Sequence, residues 1–151
     1  MIGPRHASPS TSRPGWQRLD VILVVAAGGL LGAPARYGVG QLLPTETHGF
    51  PWSTFLINVS GALLLGVLVV LLLERFAPNR YARAFFGTGF LGAYTTFSTY
   101  MVETVLLTKD GYVARATAYL LGSLVVGLFA SWLGMAIGGG ISSYGRRHEG
   151  P

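Results

Sequence analysis

The residues of this chain best placed to do chemistry are polar ones set inside long apolar runs. Arg36 follows Gly28-Gly29 and Gly32, with Pro34 just before it. A charge at the centre of a bilayer costs about 2.5–3.5 kcal/mol on insertion scales. An arginine there is therefore either a cation that draws in an anion or a helix-end strut that snorkels or binds carbonyls. Asn58 has Thr54 four residues before it and Gly61 three after, which puts all three on one helical face. Its amide carries two N–H donors, suited to a pore or to a bond between helices. Phe97 and Tyr100 are three residues apart. Their electropositive ring edges suit a small desolvated anion, and the same pair also suits ordinary packing. Tyr119, Ser123, Gly127 and Ser131 recur every four residues, making either a hydroxyl-bearing face or a small-residue packing seam. Glu103 continues a stripe with Thr96 and Thr99, near the end of its run, where it caps the helix or snorkels.

Other chemistries lack their residues. With no Cys, a disulfide framework, a zinc-thiolate site and a thiol nucleophile are excluded. The sequence carries no His pair, no glycine-rich phosphate loop with its lysine and no paired carboxylates. An enzyme or a proton-coupled pump would be short of ionisable groups, so no catalytic residue is expected. Neutral hydroxyl and amide donors fit a passive path for an anion better.

Four apolar stretches must position these groups: about Leu19 to Gly40, Ser53 to Leu73, Ala84 to Leu107 and Tyr112 to Gly138. Each is near the roughly 20 residues that carry a helix across a bilayer. The composition agrees, with 50% hydrophobic and only 11% charged residues, where soluble domains carry about a quarter charged. The expected architecture is an all-α membrane domain over residues 19–138, between a disordered tail at 1–18 and a basic tail at 139–151. A cleaved secretory signal ending at Ala33-Pro34-Ala35 is the weaker reading, because the polar start is long and three further spans follow. In the third stretch, Gly87, Gly89 and Gly92 are followed by Thr95-Thr96 and Ser98-Thr99. That makes a poor continuous helix. A break there would free backbone carbonyls, which is tolerated in a membrane only in a protein-lined or wet setting. Close packing of small residues is the competing account.

Charge gives the topology. The N-terminal tail, the middle connection and the C-terminal tail hold eight Lys/Arg, whereas the opposite side holds only Lys109 and Arg115. The positive-inside rule then places both termini in the cytoplasm of a multi-pass cell-membrane protein. The net charge of +5 is assigned to the membrane face rather than to nucleic acid.

Three strings resemble the Fluc (CrcB) fluoride channels: residues 28–37 (GGLLGAPARY), residues 50–61 (FPWSTFLINVSG) and residues 87–103 with TTFSTY at 95–100. The resemblance spans about Val21 to Gly138. It implies a passive fluoride-exporting channel made of two antiparallel subunits, each with four spans and a third helix broken in mid-membrane. It implies a fluoride pathway through Thr54, Asn58, Phe97, Ser98, Tyr100, Tyr119 and Ser123. It also implies a structural Na⁺, not transported, held by the backbone carbonyls of Gly92 and Thr95. Tyr100 stands where the family usually has Phe, and Gly127 where it often has a hydroxyl. The eight-to-two charge bias is at odds with a homodimer inserted both ways, so an oppositely oriented paralogue is the expected partner, with a homodimer as the other arrangement. A small multidrug-type exporter lacks its first-span carboxylate here, since the only acid is Asp20 at the edge. A non-transporting membrane subunit would not need the third-stretch pattern.

Overall fold

The computed structural model describes residues 16–44, 49–74 and 79–148. All regular elements among these residues are helical. Helix α1 is Trp16–Leu42 and α2 is Trp52–Glu74. Helix α3 covers residues 80–94, including wide π turns over Arg83–Leu91. Helix α4 is Phe97–Lys109 and α5 is Val113–His148. Residues 1–15 of the tail expected at 1–18, residues 45–48 of the connection at Thr45-Glu46-Thr47-His48-Gly49 and residues 77–78 of that at Ala77-Pro78-Asn79-Arg80 lie outside the described residues. α1 already begins at Trp16, and α5 runs ten residues past Gly138.

Local sequence explains the ends. Pro51 is fully buried just before α2, where its missing N–H costs no helical bond. Between α4 and α5 the Gly111 N–H bonds the Thr108 carbonyl and the Tyr112 N–H bonds the Leu107 carbonyl. This paired closure needs a left-handed residue, and Gly111 supplies it at φ 84°. At the other end of the bundle, Arg80 and the Tyr81 hydroxyl both bond the Asp20 carboxylate, which ties the start of α3 to the start of α1.

Glycines set how the helices pair. A Cβ on Gly32 would lie 2.2 Å from the Phe90 carbonyl oxygen, and one on Gly134 would lie 2.1 Å from that of Leu63. Both are closer than any real contact, so backbone meets backbone at each point. Asp20 meets Arg80, Gly32 meets Phe90 and Arg36 meets Thr95, so α1 and α3 run parallel. Leu63 lies by Gly134 and Val67 by Gly138, so α2 and α5 are also parallel. Thr54 with Glu103 and Asn58 with Thr96 place α4 antiparallel to α2. The packing seam of α5 is thus Gly134 and Gly138. Gly127 is not part of it, since a Cβ there would meet nothing within 4 Å.

The core is thin. Leu107, Ala116 and Tyr119 form a buried cluster with Phe50, Phe55 and Tyr100 against it. Most large apolar side chains face outward, Leu30 and Leu128 among them. Among the described residues, three helices are long and apolar enough to cross a membrane: Leu19–Leu42, Trp52–Leu73 and Val113–Ile141. The stretch between the last two is divided at Thr95 and Thr96 into pieces too short to count singly.

Candidate functional site

The site is built around that division. α3 ends at Tyr94, Thr95 has ψ 160°, and Thr96 is fully extended at φ −147°, ψ 124°. Thr96 then caps α4, its Oγ1 accepting from the Thr99 N–H at 3.2 Å. Two extended residues would leave backbone groups without helical partners. Asn58 supplies them from α2. Its Nδ2 donates to the Thr96 carbonyl and its Oδ1 accepts from the Thr96 N–H, both at 2.9 Å. The amide thus acts as a surrogate peptide, using one of its two N–H donors. Gly61, one turn further along α2, leaves the space that the Thr95 methyl fills.

Two carbonyls of this segment differ from the rest. In a continuous helix the Thr96 N–H would reach the Gly92 carbonyl, but Asn58 has taken it. The Thr95 carbonyl accepts a long bond, 3.4 Å, from Arg36 Nη1. These are the two oxygens expected to hold Na⁺, and neutral carbonyls of this kind suit a hard cation.

Beside the division lies an open groove of about 390 Å³ whose walls include Asn58, Thr95, Phe97, Tyr100, Ser123 and Gly127. Asn58, Phe97, Tyr100 and Ser123, all expected on the pathway from sequence, therefore meet in one place. Phe97 is 75% exposed, standing out from α4. Its ring centre is 6.0 Å from that of Tyr100. The Tyr100 hydroxyl donates to the Leu120 carbonyl on α5, so the extra oxygen relative to Phe is satisfied without water. Ser123 Oγ is buried and has no partner within the described structure. A buried hydroxyl without a partner is uncommon in folded proteins.

The other expected residues lie elsewhere. Thr54 Oγ1 donates to one oxygen of Glu103 at 2.9 Å, and the Tyr119 hydroxyl donates to the other at 2.7 Å. Thr54 and Tyr119 are both buried. They form a closed cluster with Glu103, behind the Tyr100 ring, which meets Tyr119 edge-on at 5.1 Å. Glu103 is a junction of α2, α4 and α5, a role its own helical stripe did not suggest. Ser98 is exposed on α4, its Oγ 3.4 Å from Thr96 Oγ1, and is not in the groove wall. Gly92 lines a second hollow, with Asn58, Gly61 and Gly87.

Residues 23–135 match the family model described as CrcB-like protein, Camphor Resistance (CrcB). The chain belongs to the CrcB-like family. A protein of Streptomyces avermitilis named fluoride-specific ion channel FluC 3 is 50% identical over 121 residues, covering 80% of this chain and 59% of the relative. Fluoride-specific ion channel FluC 1 of Streptomyces coelicolor is 45% identical over 132 residues, covering 87% and 84%. Fluoride-specific ion channel FluC of Thermus thermophilus is 44% identical over 124 residues, covering 82% and 98%. With its apolar helices, this CrcB-like chain is a multi-pass membrane protein. The matched region takes in α2, α3 and α4 whole, and with them both the groove and the Glu103 cluster.

Proposed function

We propose that the chain is a subunit of a fluoride-selective channel that passively lowers cytoplasmic fluoride. The observation that carries this reading is the groove. The unpartnered Ser123 hydroxyl, the spare N–H of Asn58 and the rings of Phe97 and Tyr100 share one wall. Closely spaced donors and ring edges can replace the water of a small, strongly hydrated anion, and narrowness disfavours chloride. The names of the relatives specify fluoride.

On this reading α3 and α4 form one interrupted third span, giving four spans with both termini cytoplasmic. The groove, open along one side, is half of a pathway that a second, antiparallel subunit completes. Ser98, Thr54 and Tyr119 stand along or behind that pathway. The carbonyls of Gly92 and Thr95 would hold a structural Na⁺, which would supply fixed positive charge at the centre of the assembly. The charge bias of eight to two favours an oppositely oriented paralogue as that subunit.

An exporter that exchanges protons for cations is disfavoured by one contact. Asp20, the only acid of α1, is held by Arg80 and Tyr81 at the very start of the helix. The test is fluoride efflux from liposomes containing the purified protein, with chloride as control. Fast fluoride-selective efflux is expected from the chain with its partner. Efflux that persists after Phe97→Ile and Asn58→Asp would overturn the assigned pathway, and efflux absent with every partner would overturn the channel reading.

A further inference from the structure

We infer that Tyr94 and Ser60 are positioning residues: their hydroxyl pair is a second peg for the helix interruption and fixes the direction in which Phe97 enters the groove. The inference rests on the channel reading proposed above. Neither residue lines the groove, so the pair acts through the backbone and not by touching an ion. The bond has a definite direction. Ser60 Oγ lies 2.7 Å from the Leu56 carbonyl and 3.2 Å from that of Ile57, both within α2. Carbonyls only accept, so the single Ser60 proton is committed to α2. The Tyr94 hydroxyl, 2.9 Å from Ser60 Oγ, is then the donor. Tyr94 is buried, and its ring stacks on Phe90 with the planes 9° apart. Phe90 is in turn the point where α3 meets Gly32 of α1. The pair therefore ties α1 and α3 to α2 at the last residue before the chain leaves the helix.

Asn58 grips the interruption from a different flank. Asn58 and Ser60 are two residues apart, which separates them by about 200° around α2. Three consecutive residues thus meet one turn of α2 at three points: Tyr94 at Ser60, the Thr95 methyl at Gly61 and Thr96 at Asn58. Held by Asn58 alone, the chain could swivel about the extended Thr95 and Thr96. The Tyr94 peg removes that freedom, because two attachments on different flanks fix a rotation that one leaves open. Phe97 is the residue that gains most from this. It is the first residue of α4 and is 75% exposed, so packing within the subunit does little to hold it. Its direction is set by the backbone that leads into it.

The experiment is fluoride efflux from liposomes holding the protein with its partner subunit, at matched amounts of folded protein, with thermal unfolding of the same samples. Tyr94→Phe keeps the ring against Phe90 and deletes the donor. Ser60→Ala deletes the acceptor, and Ser60→Thr keeps an oxygen in its place. We expect Tyr94→Phe and Ser60→Ala each to slow efflux at least ~10-fold, the scale on which a slightly misplaced group loses rate. The double variant should be no slower than either single one, and Ser60→Thr should match wild type. Wild-type efflux from the single variants, with only their unfolding midpoints lowered, would overturn the inference, since the pair would then be a scaffold and nothing more. Losses that multiply in the double variant would also overturn it, because the two side chains would be acting separately. Should Ser60→Ala not fold, Ser60→Val and Ser60→Thr, alike in shape, isolate the oxygen, and equal efflux from those two would refute the pairing. A wild type that conducts no fluoride with any partner would overturn the channel reading, and the inference with it.

Discussion

Asn58 bonds both the N–H and the carbonyl of Thr96, 38 residues away at the interruption of the third stretch. Asn58→Asp keeps the acceptor for the Thr96 N–H but turns the donor into an oxygen facing the Thr96 carbonyl. Leaving that buried carbonyl opposed costs about 1–3 kcal/mol. We expect a lower denaturation midpoint in detergent and at least ~100-fold slower fluoride efflux, because the change also puts negative charge in the groove. Tyr100→Phe is the contrasting case. It removes one bond to the Leu120 carbonyl and leaves the ring in place. Stability should drop by only about 0.5–1.5 kcal/mol with efflux retained; abolished efflux would show that the hydroxyl itself takes part. Glu103 was legible as an acid inside a span, but its partners come from two other helices, beyond the reach of periodicity within one.

Between helices, the glycines carry the argument. The sequence marked the third stretch as irregular, and the irregularity takes two forms: wide turns through Arg83–Leu91 and a full interruption at Thr95 and Thr96. Glycine content did not distinguish a packing glycine from a spacer. Gly127 and Gly134 sit on one helix seven residues apart, yet only Gly134 meets a facing backbone. Gly134→Ala forces α2 and α5 apart and should cost about 1–3 kcal/mol or more. Gly127→Ser, with open space around it, should stay within about 0.5 kcal/mol of wild type. It also adds a hydroxyl beside Ser123 in the groove, where faster or slower efflux reports directly on the path. Thermal unfolding of the two variants side by side checks the assignment; equal losses would contradict the close approach of α2 and α5 at Gly134 as the origin of the difference.

For the whole molecule, composition alone gave the class, since a chain with 11% charged residues has little to offer water. The order of the helices was legible and their pairing was not, because the apolar faces are nearly uniform and only backbone contacts choose among them. The charge distribution predicts one orientation in the membrane. Tags at the two termini, probed in intact cells and after permeabilisation, should both be reached only after permeabilisation. Equal populations facing each way would remove the reason to expect a paralogue.

The pairing of α1 with α3 and of α2 with α5 has a consequence for synthesis. Neither α1 nor α2 meets its principal partner when the next helix leaves the ribosome. α1 waits through the whole of α2, and α2 waits until Gly134 and Gly138 of the last helix have emerged. During translation each glycine seam therefore stands open in the membrane until its partner arrives, α3 for α1 and α5 for α2, and the nascent chain depends on lipid or on an insertion chaperone to cover it in the meantime.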